Sequence, residues 1–367
     1  MAAGALVVGL TAACGSSGGS GQSDASTSGV PASPGHQTVT SPSAGSLHGI
    51  ILGIDGDTSV KLEALDPGTG QVTAVREFPT AQAAEEPLNP RNSGAEARQA
   101  FNSDFTELSA TGPQQSDGSQ AAGYLDTTGQ FHALTANPSG FTNPVTNTAL
   151  AFNPVTGRLW YQSSDGNKTW YESVNPNAGA DSARHETLKQ AANVDYENPT
   201  YFAQDGFGPV QTLGGGVLYM PGGPELDYWS DASGAWLVEG GYGQYNLNNS
   251  PLSIYPAGIT PTLLLPVSKA SFIIIGTGND YSATLYICTL SGHNVRCHPL
   301  VPVTNNHFGD VVLNPAHKVL AFTATVGQEE SLFTVKLGTD GPYQPTKVLT
   351  FDPGQLAGGY WLLDWLS

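Results

Sequence analysis

Beyond residue 45 the chain settles into short runs rich in Val, Ile, Leu, Tyr, Phe and Trp. Gly, Pro, Asn and Asp separate them, and few carry apolar residues at helical spacing. Residues 48–55, 59–66 and 71–79 form three such runs in succession. Asp55-Gly56-Asp57 between the first two, and Asp165-Gly166-Asn167 further on, have the chemistry of hairpin turns; they lack the full D-x-D-x-D-G order of a calcium loop. The expected structure is all-β. Two stretches break the pattern, residues 82–100 and 180–193, which carry Ala, Glu, Arg and Gln with modest helical character. They are expected mainly as solvated loops, with short helices across one face as the alternative.

The runs repeat. Ala151-Phe152-Asn153-Pro154-Val155-Thr156-Gly157-Arg158-Leu159-Trp160-Tyr161 matches Val312-Leu313-Asn314-Pro315-Ala316-His317-Lys318-Val319-Leu320-Ala321-Phe322, and each continues into a third strand, at 169–174 and 331–337. A looser copy occupies 264–275 and 283–288. A unit of strand, turn, strand, turn, strand at a period of roughly fifty residues points to the blades of a propeller. On these residues the chain resembles the TolB-like and WD-type β-propellers. The resemblance covers most of 46–367 and implies architecture, since such propellers host many unrelated activities. Laid out in this way, later blades start near Asp104, Asn147, Asn198, Thr260 and Phe308. The first three strands lack a partner at one edge, while residues 359–367 read as one strand with nothing after it. A C-terminal strand pairing into the N-terminal blade would complete six blades, with seven as the alternative, and would remove two exposed sheet edges.

The N-terminus adds a location. Residues 5–13 are a short apolar run, too short to span a bilayer and of the length of a signal-peptide core ending in small residues. Leu10-Thr11-Ala12-Ala13-Cys14 followed by Gly-Ser-Ser resembles the lipobox of bacterial, actinobacterial-type exported lipoproteins. That resemblance implies a signal peptide over 1–13 and a mature N-terminus at Cys14 carrying diacylglycerol, with palmitate among the acyl groups such anchors bear. It also implies a lipid-anchored, extracytoplasmic protein at the cell membrane. A non-cleaved apolar N-terminus is the alternative. Residues 14–45 are Gly, Ser, Thr, Pro, Ala and Gln, a composition that cannot bury enough surface to fold and reads as a tether. The remaining cysteines, Cys288 and Cys297, lie symmetrically about Gly292-His293, so a tight turn there would place them opposite each other on a hairpin, as a disulfide suited to an oxidising compartment. Two unpaired buried thiols are the alternative.

Composition narrows the partners. The chain has 13 Lys and Arg against 31 Asp and Glu, a formal charge of −18, which repels nucleic-acid phosphates and anionic headgroups. Nucleic acid is excluded as a partner, and a monomer is expected. The 45 Gly and 26 Pro suit a tether followed by many turns. No spacing points to a catalytic residue, metal site or cofactor. The histidines are scattered, with His293, His298 and His307 brought together only if turns fold them so, and no triad order is marked. What remains is an aromatic and amide-rich stretch in which Trp229, Trp236, Tyr242 and Tyr245 are candidate ligand-binding residues, suited to stacking on a sugar or peptide. The plainer reading is that they fill space between blades. Together these features suggest a binding or scaffolding module for an envelope protein, peptide or glycan. The alternative is a propeller hydrolase or lyase acting on sugars or lactones at a central channel.

Overall fold

A computed structural model describes residues 46–84, 88, 94–135, 145–152, 157–185, 209–213, 216–219, 227–229, 236–240, 244–247, 250–251, 253–255, 260–268, 271–277, 283–291, 294–302, 307–352 and 359–367, with backbone alone over most of 209–264. Sheet I begins with Gly49–Gly56 (β1), Ser59–Leu65 (β2) and Val72–Pro79 (β3), an antiparallel meander. Its turns are local. Asp66 Oδ1 accepts the Gly68 and Thr69 backbone N–H groups, which fixes the link between β2 and β3. Strand period decides what each face does: Val60, Leu62 and Ala64 of β2 join one apolar cluster with Ile51, while Leu65 joins Ile50 and Leu52 in another.

After β3 comes a short helix, Gly94–Gln99 (α1), and then sheet II, made of Glu107–Thr111 (β4), Ala122–Asp126 (β5) and Phe131–Ala133 (β6). Sheet III contains Thr146–Phe152 (β7), Leu159–Ser164 (β8), Thr169–Val174 (β9) and Arg184–His185 (β10). Sheet IV runs through Pro209–Leu213 (β11), Gly216–Tyr219 (β12), Asp227–Trp229 (β13), Trp236–Gly240 (β14), Gln244–Leu247 (β15) and Ser250–Pro251 (β16). Sheet V joins Ser253–Tyr255 (β17), Thr260–Ser268 (β18), Ser271–Thr277 (β19), Ala283–Ser291 (β20) and Asn294–Pro299 (β21). Within it β17 lies parallel to β21, outside the antiparallel meander. Sheet VI is His307–Leu313 (β22), Val319–Val326 (β23), Glu329–Lys336 (β24) and Thr346–Thr350 (β25). The last strand, Tyr360–Leu366 (β26), does not extend sheet VI. It pairs antiparallel with β1, from Gly49↔Leu366 to Ile54↔Tyr360, so sheet I has the order β26-β1-β2-β3.

The described residues thus form six antiparallel-based sheets in chain order, all within one unit, Pro42–Ser367. Apolar seams join neighbours: sheets I and II around Phe78, Phe101 and Phe105, II and III around Leu134 and Tyr161, V and VI around Ile273 and Phe322, and VI and I around Leu332 and Leu362. The repeated segments become corresponding hairpins, β7–β8 with β9, β18–β19 with β20, and β22–β23 with β24. Expected blade starts at Asp104, Asn147, Thr260 and Phe308 meet strands starting at Glu107, Thr146, Thr260 and His307, whereas Asn198 lies outside the described residues and the next strand begins at Pro209. Cys288 and Cys297 are register partners and form a disulfide. With a sequence separation of 9, its closed loop is short, and loop-closure entropy gives a stabilisation of about 2.5 kcal/mol.

One expectation is corrected. Within residues 82–100, the described part from Leu88 on is not a solvated loop: Leu88, Ala97, Gln99 and Ala100 are buried, and α1 packs against β26, β22 and β11. Its apolar positions are too few to show a helical stripe, so burial here follows from the sheets around it. In the second stretch, Ala180–Ser182 is a 3-10 turn and β10 an edge strand, while residues 186–193 lie outside the described part.

Candidate functional site

Three edge strands of different sheets, β22, β26 and β11, meet α1, and a carboxylate holds two of them to it. Asp310 sits where the register of β22 shifts between Phe308 and Val311. That irregularity turns its side chain away from the ladder. Its Oδ1 accepts the Gly94 backbone N–H at 2.6 Å, and its Oδ2 accepts the Leu362 N–H at 3.0 Å. One side chain therefore ties sheet VI to the start of α1 and to β26. Gly94 has to be glycine for this approach, because a Cβ there would lie 2.1 Å from the Leu362 carbonyl oxygen and 2.7 Å from the Asp310 carboxyl carbon.

Burial pushes the Asp310 carboxyl up to about 6 against the pull of its two N–H partners, and the charge of Glu330 adds to the rise. Tyr360, at the start of β26, hydrogen-bonds Glu330 and Thr323, and its phenol is raised first by burial and then by Glu330. On the other side of α1, Arg98 donates to Asp364 at 2.8 Å and to the carbonyls of Phe101 and Asn102, and its guanidinium lies 4.1 Å from the Phe105 ring centroid. The cluster has one acid titrating near neutrality, which suits proton transfer. Both its oxygens, however, already accept backbone N–H groups, so its demonstrated work is to hold α1 and β26 in place.

A second polar group lies on sheet II. Asp126 receives Thr128 through N–H and O–H, Gln130 through N–H, and the His132 ring at 2.8 Å. Partial burial raises its carboxyl, but these hydrogen bonds outweigh that and hold it well below the usual range. His132 stacks on Tyr124 at 4.9 Å, so the group is an internally satisfied surface network. Among the described residues no three His, Cys, Asp or Glu converge as metal ligands.

The residues singled out in the sequence are distributed as follows. Trp229 ends β13 and Trp236 begins β14, and the two are register partners across that hairpin. Tyr245 lies on β15, opposite Glu239 of β14. All three therefore belong to neighbouring strands of sheet IV, while Tyr242, His293 and Cys14 lie outside the described residues. Sequence reasoning missed Asp310, Gly94 and Arg98. A signal was available in Phe308-Gly309-Asp310, an acid within an otherwise apolar strand beside a glycine whose Cβ would meet Thr323 Oγ1 at 2.4 Å.

Among the described residues no helix is long and apolar enough to cross a membrane. No protein-family model matches the chain, and no curated protein matches it. Solved structures do. TolB from Acinetobacter baumannii is 12% identical over 88% of this chain and 67% of its own, with a TM-score of 0.41. The dihydro-heme d1 dehydrogenase NirN is 12% identical over 89% and 78%, at 0.45. The periplasmic gluconolactonase PpgL of Pseudomonas aeruginosa is 13% identical over 85% and 80%, at 0.33. These are β-propeller proteins, and this chain is similar to them in its all-β series of small antiparallel sheets.

Proposed function

We propose that the chain is a lipid-anchored, extracytoplasmic β-propeller of six blades, closed by β26, that serves as a binding or scaffolding module for a protein, peptide or glycan of the cell envelope. The observation that carries the binding reading is the position of α1 against β22, β26 and β11. In a ring of blades the first strands line the central channel, and each of these is the edge strand of its sheet at which such a channel would lie. A helix fastened there by Asp310 and Arg98 would occupy part of the space a channel enzyme needs for substrate. Ligand contact then falls to the loops and to the aromatic strands of sheet IV, where Trp229, Trp236 and Tyr245 lie on neighbouring strands. Aromatic residues close in sequence to Gln244, Asn246, Asn248 and Asn249 are of the types that suit a sugar ring or a peptide backbone, through stacking and paired amide hydrogen bonds.

The test is retention on envelope glycan and peptide fragments. The full chain should bind at least one class, and Trp229→Ala with Trp236→Ala should weaken that binding tenfold or more while leaving the thermal transition in place. Turnover of a lactone or glycoside by the wild type would replace this reading with the enzyme. The anchor has its own measurement. Mass spectrometry of the N-terminus of protein purified from membranes of its host should find a diacylglyceryl Cys14, and an unmodified Cys14 would remove lipid anchoring.

A further inference from the structure

Between sheets I and VI lies a cavity of about 240 Å³, which shares Tyr360 with the cluster at α1. Leu52, Leu65, Val72 and Leu349 give it apolar walls, and the stacked rings of Phe351 and Tyr360, 4.4 Å between centroids, give it an aromatic side. One carboxylate enters it. Glu63 pairs directly with Leu52 of β1, and directly paired residues of an antiparallel ladder project to the same face, here the face that meets sheet VI.

Glu63 has one partner. Its Oε1 takes the Lys61 ammonium, two residues along the same face, and its Oε2 has no hydrogen-bond partner among the described residues. The pairing is unequal in burial, with the Lys61 side chain 42% exposed and that of Glu63 11%. A lysine so exposed is largely solvated and screened, and it engages one of the two carboxylate oxygens. Other charges lie around the cavity. Glu77 is the register partner of Lys61 on β3 and accepts the Ser59 hydroxyl, Glu330 stands behind Tyr360, and Lys347 on β25 is exposed and donates to Thr350.

We infer that this cavity binds a small protonated amine with an apolar or aromatic body, its ammonium on Glu63 Oε2 and its body against Phe351, Tyr360 and the aliphatic wall. An ammonium group supplies donors that no described residue brings to Oε2, and charge-assisted hydrogen bonds of this kind are strong. Aromatic faces attract the same cation. The volume is that of about eight waters in the liquid, at ~30 Å³ each, and lies below the ~300 Å³ of pockets that take drug-sized molecules. A single ring or short alkyl chain with one charged head fits that space.

The probe is benzylammonium, titrated into the full chain by calorimetry and followed by saturation-transfer NMR, with benzyl alcohol as its uncharged counterpart. Benzylammonium should saturate one site and bind at least about tenfold more tightly than benzyl alcohol, a difference of the size charged hydrogen bonds produce. Glu63→Gln keeps the shape and removes the charge, and should lose the same factor. Leu349→Trp should block both compounds. Equal binding of amine and alcohol by the wild type would overturn the inference without recourse to any variant. So would unchanged binding in a folded Glu63→Gln, or no saturation by about 20 mM, where even a millimolar site would be filled.

Discussion

Removing residues 360–367 should leave a chain that no longer unfolds cooperatively. β26 is the edge strand of sheet I, and it belongs to two apolar clusters at once: Trp361 and Leu363 pack with Ile51, Leu62 and Phe101, while Leu362 packs with Ile50, Val312 and Leu332. Truncating one large buried side chain costs about 2–5 kcal/mol. Three such losses reach the total stability of an ordinary domain, about 5–15 kcal/mol. The deletion also bares the hydrogen-bonding edge of β1, whose Ile50, Ile51 and Leu52 are buried, and so creates a flat apolar edge open to aggregation. Circular dichroism during heating should show a broad, featureless loss of signal in place of a transition. A truncated protein melting sharply at the temperature of the full chain would show that β26 does not close the structure. Leu362→Ala, which keeps the pairing, should retain a transition but lower stability by about 2–5 kcal/mol.

Asp310→Ala should destabilise strongly and should change how stability depends on pH. The substitution leaves the Gly94 and Leu362 N–H groups without their acceptor, a loss that costs about 1–3 kcal/mol per group when fully buried and less at this part-buried site. The pH effect has a definite sign. Burial raises the Asp310 carboxyl in the folded chain from 3.8 to about 6, so the folded state holds this proton more firmly than the unfolded state. Its contribution is fully present below 3.8 and is lost as pH rises through about 6, by an amount on the order of 3 kcal/mol. Glu330 and Tyr360 face the same carboxyl, and the negative charge of Glu330 works in the same direction. Urea unfolding at pH 5 and pH 7.5 should therefore find the difference between wild type and Asp310→Ala larger at the lower pH. Parallel pH profiles would mean that Asp310 does not titrate in this range. The surface carboxylates Asp66 and Asp165, lowered by hydrogen bonds from their own turns, are common to both proteins and cancel in the comparison.

These two results test features that differ in how far they could be read in advance. The strand at 360–367 was legible because it is almost wholly apolar, interrupted only by Asp364 before its last residue, Ser367, and because the first three strands lack a first. The hairpin at Cys288 and Cys297 was legible because both cysteines lie equally far from a turn. The latch at Asp310 was not. Its partners Gly94 and Leu362 are 216 and 52 residues away, and the functional part of residues 82–100 is a helix too short to announce itself by periodicity. Arg98 was similarly hidden, since its ion pair with Asp364 spans 266 residues.

The sequence alone determined the all-β class, the positions of most strands and the repeat of strand and turn, and it pointed to the cysteine pair that the structure shows bonded. Alternation and turn chemistry act between residues near in the chain, where side-chain direction and backbone preference are local. Only the tertiary structure decided that α1 is buried against the edges of three sheets, that Asp310 holds it to β26, and that Glu63 lines the cavity between sheets I and VI. Those arrangements depend on which surfaces meet when distant strands pack, and a low local polarity at such a meeting point is a property of the assembled seam that no stretch of chain carries by itself.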